Sequence, residues 1–177
     1  MLQLFGFDRI GVAIGDIYWV DPDPAHDYGA ERGVRVEIRM LTAADLVGSV
    51  YSARPITIGE PVWRLDLLES VDGPPGSLDR AHHHPEMYDW EPLSRVVDED
   101  LTRDPVGWLG DKLAGLEALL TEAGIQVDAE LAADAARVRG AATEIQRAVG
   151  RLVERVKAGE LGTAPEGAAA GARPDWL

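Results

Sequence analysis

Apolar residues occupy alternate positions through much of the first hundred residues, and every third or fourth position after that. Ile10, Val12 and Ile14 alternate within the run Arg9 to Val20, and Tyr18 and Val20 continue it. Gly11 and Gly15 mark sites for a bulge or a close approach. Asp21-Pro22-Asp23-Pro24 ends this strand, and the loop extends through Gly29 to Gly33. Val34, Val36, Ile38 and Met40 then alternate with Arg35, Glu37 and Arg39, the clearest half-buried strand in the chain. Thr42 to Val47 reads as a short connection. Ser49 to Ile58 reads as a third strand, with Pro55 at an edge or bulge. Gly59-Glu60-Pro61 reads as a turn and Val62 to Glu69 as the fourth strand. There Trp63, Leu65 and Leu67 face one way and Arg64 and Asp66 the other. Short, turn-rich connections favour an antiparallel meander. One face of that sheet carries Arg35, Glu37, Arg39, Arg64 and Asp66. It is expected to be a solvated ladder of cross-strand ion pairs, with a polar ligand groove as the alternative.

The period changes at Asp104-Pro105, a cap acceptor followed by proline at the first helical position. Leu109, Leu113, Leu116, Leu120 and Ala123 predict one helix from Pro105, closed by Gly124. Asp128 caps a second, near Ala129 to Ala158, along which Leu131, Ala135, Val138, Ala142, Ile145, Val149, Leu152 and Val156 recur. Small residues at 135 and 142 suit close packing of two antiparallel helices. The second helix, ~45 Å long, outreaches the first at ~28 Å. Its overhang must cover the sheet or meet another chain, so Val149, Leu152, Val153 and Val156 are expected to bind a second copy or another protein. The tail after Glu160 is rich in Gly, Ala and Pro and is expected to be disordered. Its end, Pro174-Asp175-Trp176-Leu177, is a candidate docking motif. The fold class is therefore α+β: an antiparallel β-meander of four to five strands (1–95), a long antiparallel helical hairpin (104–160) and a disordered tail (161–177).

Composition narrows the function classes. With 17 Lys plus Arg against 31 Asp plus Glu, the formal charge is −14, which disfavours general binding to nucleic acid or anionic membrane. Residues 1–100 hold 19 acidic and 8 basic side chains, and residues 101–177 hold 12 and 9, so the charge shifts where the periodicity does. There is no cysteine, which excludes disulfides, thiolate metal sites and cysteine nucleophiles. No positive region precedes the apolar residues of the N-terminus, and no apolar run nears the ~20 residues that span a bilayer. A cytoplasmic protein is expected.

The most concentrated chemistry lies in Asp79-Arg80-Ala81-His82-His83-His84-Pro85-Glu86, after a Pro/Gly turn. It holds three of the four histidines. In extended backbone His82 and His84 project to one side and His83 to the other. A His-x-His pair has good spacing for zinc or another divalent ion. Glu86 is the metal-ligand candidate beside His82 and His84, with Asp79, Asp89 or the remote His26 as other third ligands. Without metal, a histidine would serve as general base. The structural alternative is a solvent-facing loop whose histidines bridge local backbone. Phosphate-binding, nucleophile-elbow, zinc-helix and dinucleotide motifs are missing.

The strand Val62-Trp63-Arg64, the turn Asp72-Gly73 and the run from Asp79 to Glu86 together resemble the TumE-like toxins of bacterial toxin–antitoxin pairs. That resemblance implies a meander, an Asp-x-Ala-x-His-His-Pro loop and a terminal helix, with catalytic roles for Asp79, His83 and His84 and a matching Pro85. Met87-Tyr88-Asp89-Trp90-Glu91-Pro92 stands where those toxins usually have another His-rich patch. Two functions are thus expected. The first is a protein–protein interaction module working through the helices. The second is a toxin-like or metal-dependent hydrolase or ribonuclease using the histidine loop, with Arg35, Arg39, Arg64 and Arg80 as its basic patch.

Overall fold

Alternation along the strands sends Ile10, Val12, Ile14, Val34, Val36, Ile38, Trp63, Leu65 and Leu67 to one face of a sheet, where all are buried. The structure, a computed structural model, describes residues 1–21 and 29–164. Five strands run in the order β1 (Leu2–Gly6), β2 (Ile10–Val20), β3 (Ala30–Ala43), β4 (Ile56–Ser70) and β5 (His82–His84), each antiparallel to its neighbour. A two-stranded ribbon, β6 (Met87–Tyr88) and β7 (Glu91–Pro92), follows. The helices α1 (Glu99–Arg103), α2 (Pro105–Ala114), α3 (Leu116–Glu122) and α4 (Ala129–Lys157) complete the order. The fold is α+β with an antiparallel sheet.

Three expectations about the elements are corrected. Ser49 to Ile58 is not a strand; Ser49 to Ser52 form a turn, and β4 begins at Ile56. Gly59-Glu60-Pro61 does not turn the chain but lies inside β4, where the register with β3 slips between Ile38 and Leu41. A bulge absorbs the proline, which has no N–H to give the ladder. The first helix does not run unbroken from Pro105 to Ala123, because Gly115 separates α2 from α3. Glycine is the weakest ordinary helix former. The tail begins packed rather than free. Leu161 lies against the core and the Gly162 N–H donates to Asp16 Oδ2 at 3.1 Å. The remainder of the tail, with the Pro174-Asp175-Trp176-Leu177 motif, lies outside the described residues, as does His26.

Sheet and helices share one core, so residues 1–95 and 104–160 do not bury separate hydrophobic centres. Of the two roles open to the overhang of α4, covering the sheet is the one seen: Val149, Leu152 and Val156 are buried within the chain, and Val153 is half-buried beside them. α2 and α4 meet closely at Gly110, where a Cβ would lie 2.2 Å from Gln146 Nε2. That amide donates to the Val106 carbonyl at 2.8 Å. Gly33 is needed for a similar reason, since a Cβ there would lie 2.0 Å from the Leu67 carbonyl oxygen.

Asp134 locks α4 to the first hairpin. It is buried and accepts from the backbone N–H groups of Asp8, Arg9 and Ile10 at 3.3, 2.6 and 3.2 Å, and from Arg137 at 3.1 Å. Asp134→Ala strands those donors and is expected to cost about 2–4 kcal/mol. Asp134→Asn, which keeps one acceptor oxygen, is expected to cost less. Urea denaturation checks both, and equal losses would show that acceptance by the carboxylate is not what matters.

Candidate metal centre

β4 presents Arg64 and Asp66 on the face away from the helices. β5 pairs with it so that His84 lies opposite Arg64, His83 opposite Leu65 and His82 opposite Asp66. His82 and His84 therefore share the face of Asp66. His83 turns to the helix side, its ring 6.2 Å from Trp63 and 5.0 Å from Trp108, which themselves stack. All three histidines are buried, and β5 is held from its outer side by the paired backbone groups of His83 and Val96.

Hydrogen bonding fixes what the two outer imidazoles offer. His82 Nδ1 lies 2.7 Å from the Arg80 carbonyl, and His84 Nδ1 lies against the Ser94 carbonyl. A carbonyl oxygen only accepts, so each Nδ1 carries the hydrogen and each Nε2 is left with a lone pair. Both lone pairs face Asp66 Oδ2, at 3.6 Å from His82 and 3.5 Å from His84. The three ligand atoms lie within 4.8 Å of one another, and all three residues are buried. Ligands about 2.0–2.2 Å from a tetrahedral zinc ion stand roughly 3.3–3.5 Å apart. The two distances from Asp66 Oδ2 to the imidazoles, 3.6 and 3.5 Å, are close to that. Burial pushes the His82 pKa down to about 4, against the pull of Asp66, so this imidazole is neutral at pH 7 and able to ligate.

Arg35 holds the carboxylate in place. Its Nε and Nη2 donate to the two oxygens of Asp66 at 2.6 and 3.1 Å, a bidentate clamp. Burial alone would raise the Asp66 pKa, but the Arg35 charge and its two hydrogen bonds outweigh it, and the group stays well below the usual carboxylate range. Beside this pair, Glu37 accepts from Arg64 Nε at 2.9 Å and from Arg39 Nε at 2.7 Å. Arg39 also donates to the Gly59 carbonyl at the bulge, 2.9 Å away, and Trp90 lies over its guanidinium at 5.4 Å. Trp90 and Asp89 form the two-residue loop between β6 and β7, both with positive φ.

The expected ladder of ion pairs is present, but it is not solvated. Glu37 is 0% and Asp66 2% exposed, and Arg39 and Arg64 are buried with them. The pairs cover one another, and the β6–β7 ribbon reaches over Arg39. That burial also removes Arg35, Arg39 and Arg64 from any surface patch for RNA; Arg80 alone of the four keeps a third of its side chain exposed.

The site residues read from the sequence divide accordingly. His82 and His84 come together. Glu86 is exposed, and it is Asp66 that stands with the two imidazoles. Asp79 accepts from the Ser70 N–H at 3.0 Å and the Ser77 hydroxyl at 2.7 Å, holding the turn before β5. It is not gathered with His83 and His84, which face opposite sides of the sheet. The alternation of the sequence places Asp66 on the polar face and by itself gives no sign that it stands beside the two imidazoles. Comparison with family models, curated proteins and solved structures gives no match for this chain.

Glu37→Gln leaves two buried guanidiniums short of a counter-charge and is expected to lower stability by about 3–5 kcal/mol. Asp100→Asn, at the exposed Arg103–Asp100 pair, is expected to cost under about 1 kcal/mol. Denaturation midpoints for the two variants test the burial of the face, which similar small losses would contradict.

Proposed function

We propose that this chain binds one divalent transition-metal ion, zinc first among them, between Asp66 Oδ2, His82 Nε2 and His84 Nε2. The observation that carries this reading is the convergence of three buried acceptors with no hydrogen to share among them. Lone pairs turned toward one another in a low-dielectric interior repel, and a cation between them turns that cost into a gain. Both imidazoles already have the outer hydrogen bond to a carbonyl that metal-ligating histidines almost always make, and the carboxylate has its own in Arg35. Two imidazoles and a carboxylate suit zinc, and the same set suits ferrous iron. Three protein ligands leave a coordination position for water or substrate, the composition of centres that act on bound molecules rather than closed structural sites. The chemistry class is metal-assisted hydrolysis. The reading as an interaction module stands second, because most of the apolar positions named for it are taken up by this chain's own core.

Elemental analysis of the purified chain, with calorimetric titration of zinc into the metal-stripped protein, tests the proposal. One equivalent is expected. His82→Ala, His84→Ala and Asp66→Asn should each weaken binding at least tenfold, while Glu86→Gln and the ring-for-ring His83→Phe leave the stoichiometry unchanged. Circular dichroism keeps loss of metal separate from loss of fold. A folded wild-type chain that takes up no metal would end this reading.

A further inference from the structure

The surroundings of Asp66, His82 and His84 are cationic, although the chain as a whole carries −14. Among the described residues Arg35, Arg39 and Arg64 form ion pairs with Glu37 and Asp66, three guanidiniums against two carboxylates, and the remaining buried carboxylate of this face, Glu31, lies toward Arg80. Asp66, the one charged ligand, is already engaged by Arg35. A divalent ion placed there would add positive charge to a buried site whose nearest further carboxylate, Glu31, already faces Arg80 and Arg95.

Arg95 sharpens the imbalance. The Ser94 carbonyl takes the His84 Nδ1 hydrogen, and Val96 pairs with His83 through both backbone hydrogen bonds. Continuing that antiparallel register sets Arg95 across from His84, so its side chain belongs to the same face as His82 and His84. Arg95 is exposed and makes no ion pair among the described residues. Its charge acts on Glu31, the buried carboxylate of this face, and on His82. Next along the face, Arg80 has a buried Nε with no hydrogen-bond partner. Its nearest carboxylates are Asp79 at 3.4 Å and Glu31 at 3.9 Å.

We propose that the coordination position the three protein ligands leave at the metal centre receives a small phosphate-type oxyanion, bridging the ion and the Arg95 guanidinium. This rests on the metal reading above. A tetrahedral oxyanion can give one oxygen to the ion and two to the planar fork of an arginine, while restoring charge balance to the site. The buried state of Arg35, Arg39 and Arg64 favours a small anion, because a long nucleic-acid strand would need those groups at the surface. Metal and anion must then strengthen each other's binding by one common factor.

The test uses the full chain, zinc and inorganic phosphate. Zinc affinity, measured by competition with a chromogenic chelator, is expected to rise at least tenfold in saturating phosphate and to stay unchanged in chloride of equal ionic strength. Cobalt(II) in place of zinc should report phosphate directly, through a change in its visible absorption band. Arg95→Ala should abolish the phosphate effect and leave the metal stoichiometry at one, Arg95→Lys should restore part of it, and Arg103→Ala, a remote exposed control, should change nothing. One equivalent of zinc with an affinity indifferent to phosphate would overturn the anion proposal and leave the metal site standing. A phosphate effect retained in full by Arg95→Ala would overturn the assignment of Arg95. Absence of metal binding would remove both readings together.

Discussion

Charge on a sheet buried on both faces is tolerable only when each charged group is answered by another. That constraint governs the outer face of β3 and β4. Arg35 answers Asp66, and Glu37 answers Arg39 and Arg64 together. Taking such groups out of water costs several kcal/mol each, and their mutual attraction roughly returns it, so a buried ion pair is a poor device for stability alone. Apolar side chains would hold these two strands at least as well. Retaining ions there is better explained by what they position. Arg35 keeps Asp66 ionised and turned toward β5, and without it burial would push that carboxyl toward its neutral form and away from any metal.

Much of the frame follows from periodicity, and the exceptions have physical causes. Alternation assigned Val34, Val36 and Ile38 to the core and Arg35, Glu37 and Arg39 to the other face, and the four-three spacing from Leu131 to Val156 marked the long helix. Gly59-Glu60-Pro61 has the composition of a turn, yet pairing with β3 carries the strand through it, because the bulge accommodates Pro61 and leaves the Gly59 carbonyl for Arg39. β1 is short, uncharged and half exposed, and nothing in Leu2 to Gly6 distinguishes an edge strand from an apolar terminus. Parity told which side chains share a face. It could not tell that the face is covered, since burial depends on the ribbon from Met87 to Pro92 and on how the guanidiniums lie across each other.

The candidate site was half legible. The His-x-His spacing marks His82 and His84, but the third ligands it suggests, Asp79, Glu86, Asp89 and the remote His26, do not include Asp66. Folding works through space. The turn at Asp72 to Gly76 returns the chain antiparallel to β4, and residues 66 and 82 lie equally far from Pro74 at its centre. A hairpin drawn symmetrically about that proline sets Asp66 opposite His82, so the signal was in the sequence. What no spacing could show is that both Nδ1 hydrogens are taken by backbone carbonyls, one of them from Ser94, beyond the ribbon.

The run of three histidines also joins the site to the core. His82 and His84 face the charged side, while His83 is wedged beside Trp63 and Trp108, with Lys112 over the Trp108 indole and Asp98 accepting from its N–H at 2.9 Å. A strand of three residues has little pairing of its own to keep it in register. Packing of the middle ring against two tryptophans, together with the paired backbone of Val96, supplies what the short ladder lacks. A slip of one residue would put His83 on the charged face and both ligand candidates among the tryptophans. The aromatic contacts on the helix side therefore set the geometry of the polar side, and the middle histidine matters to the site without being near it.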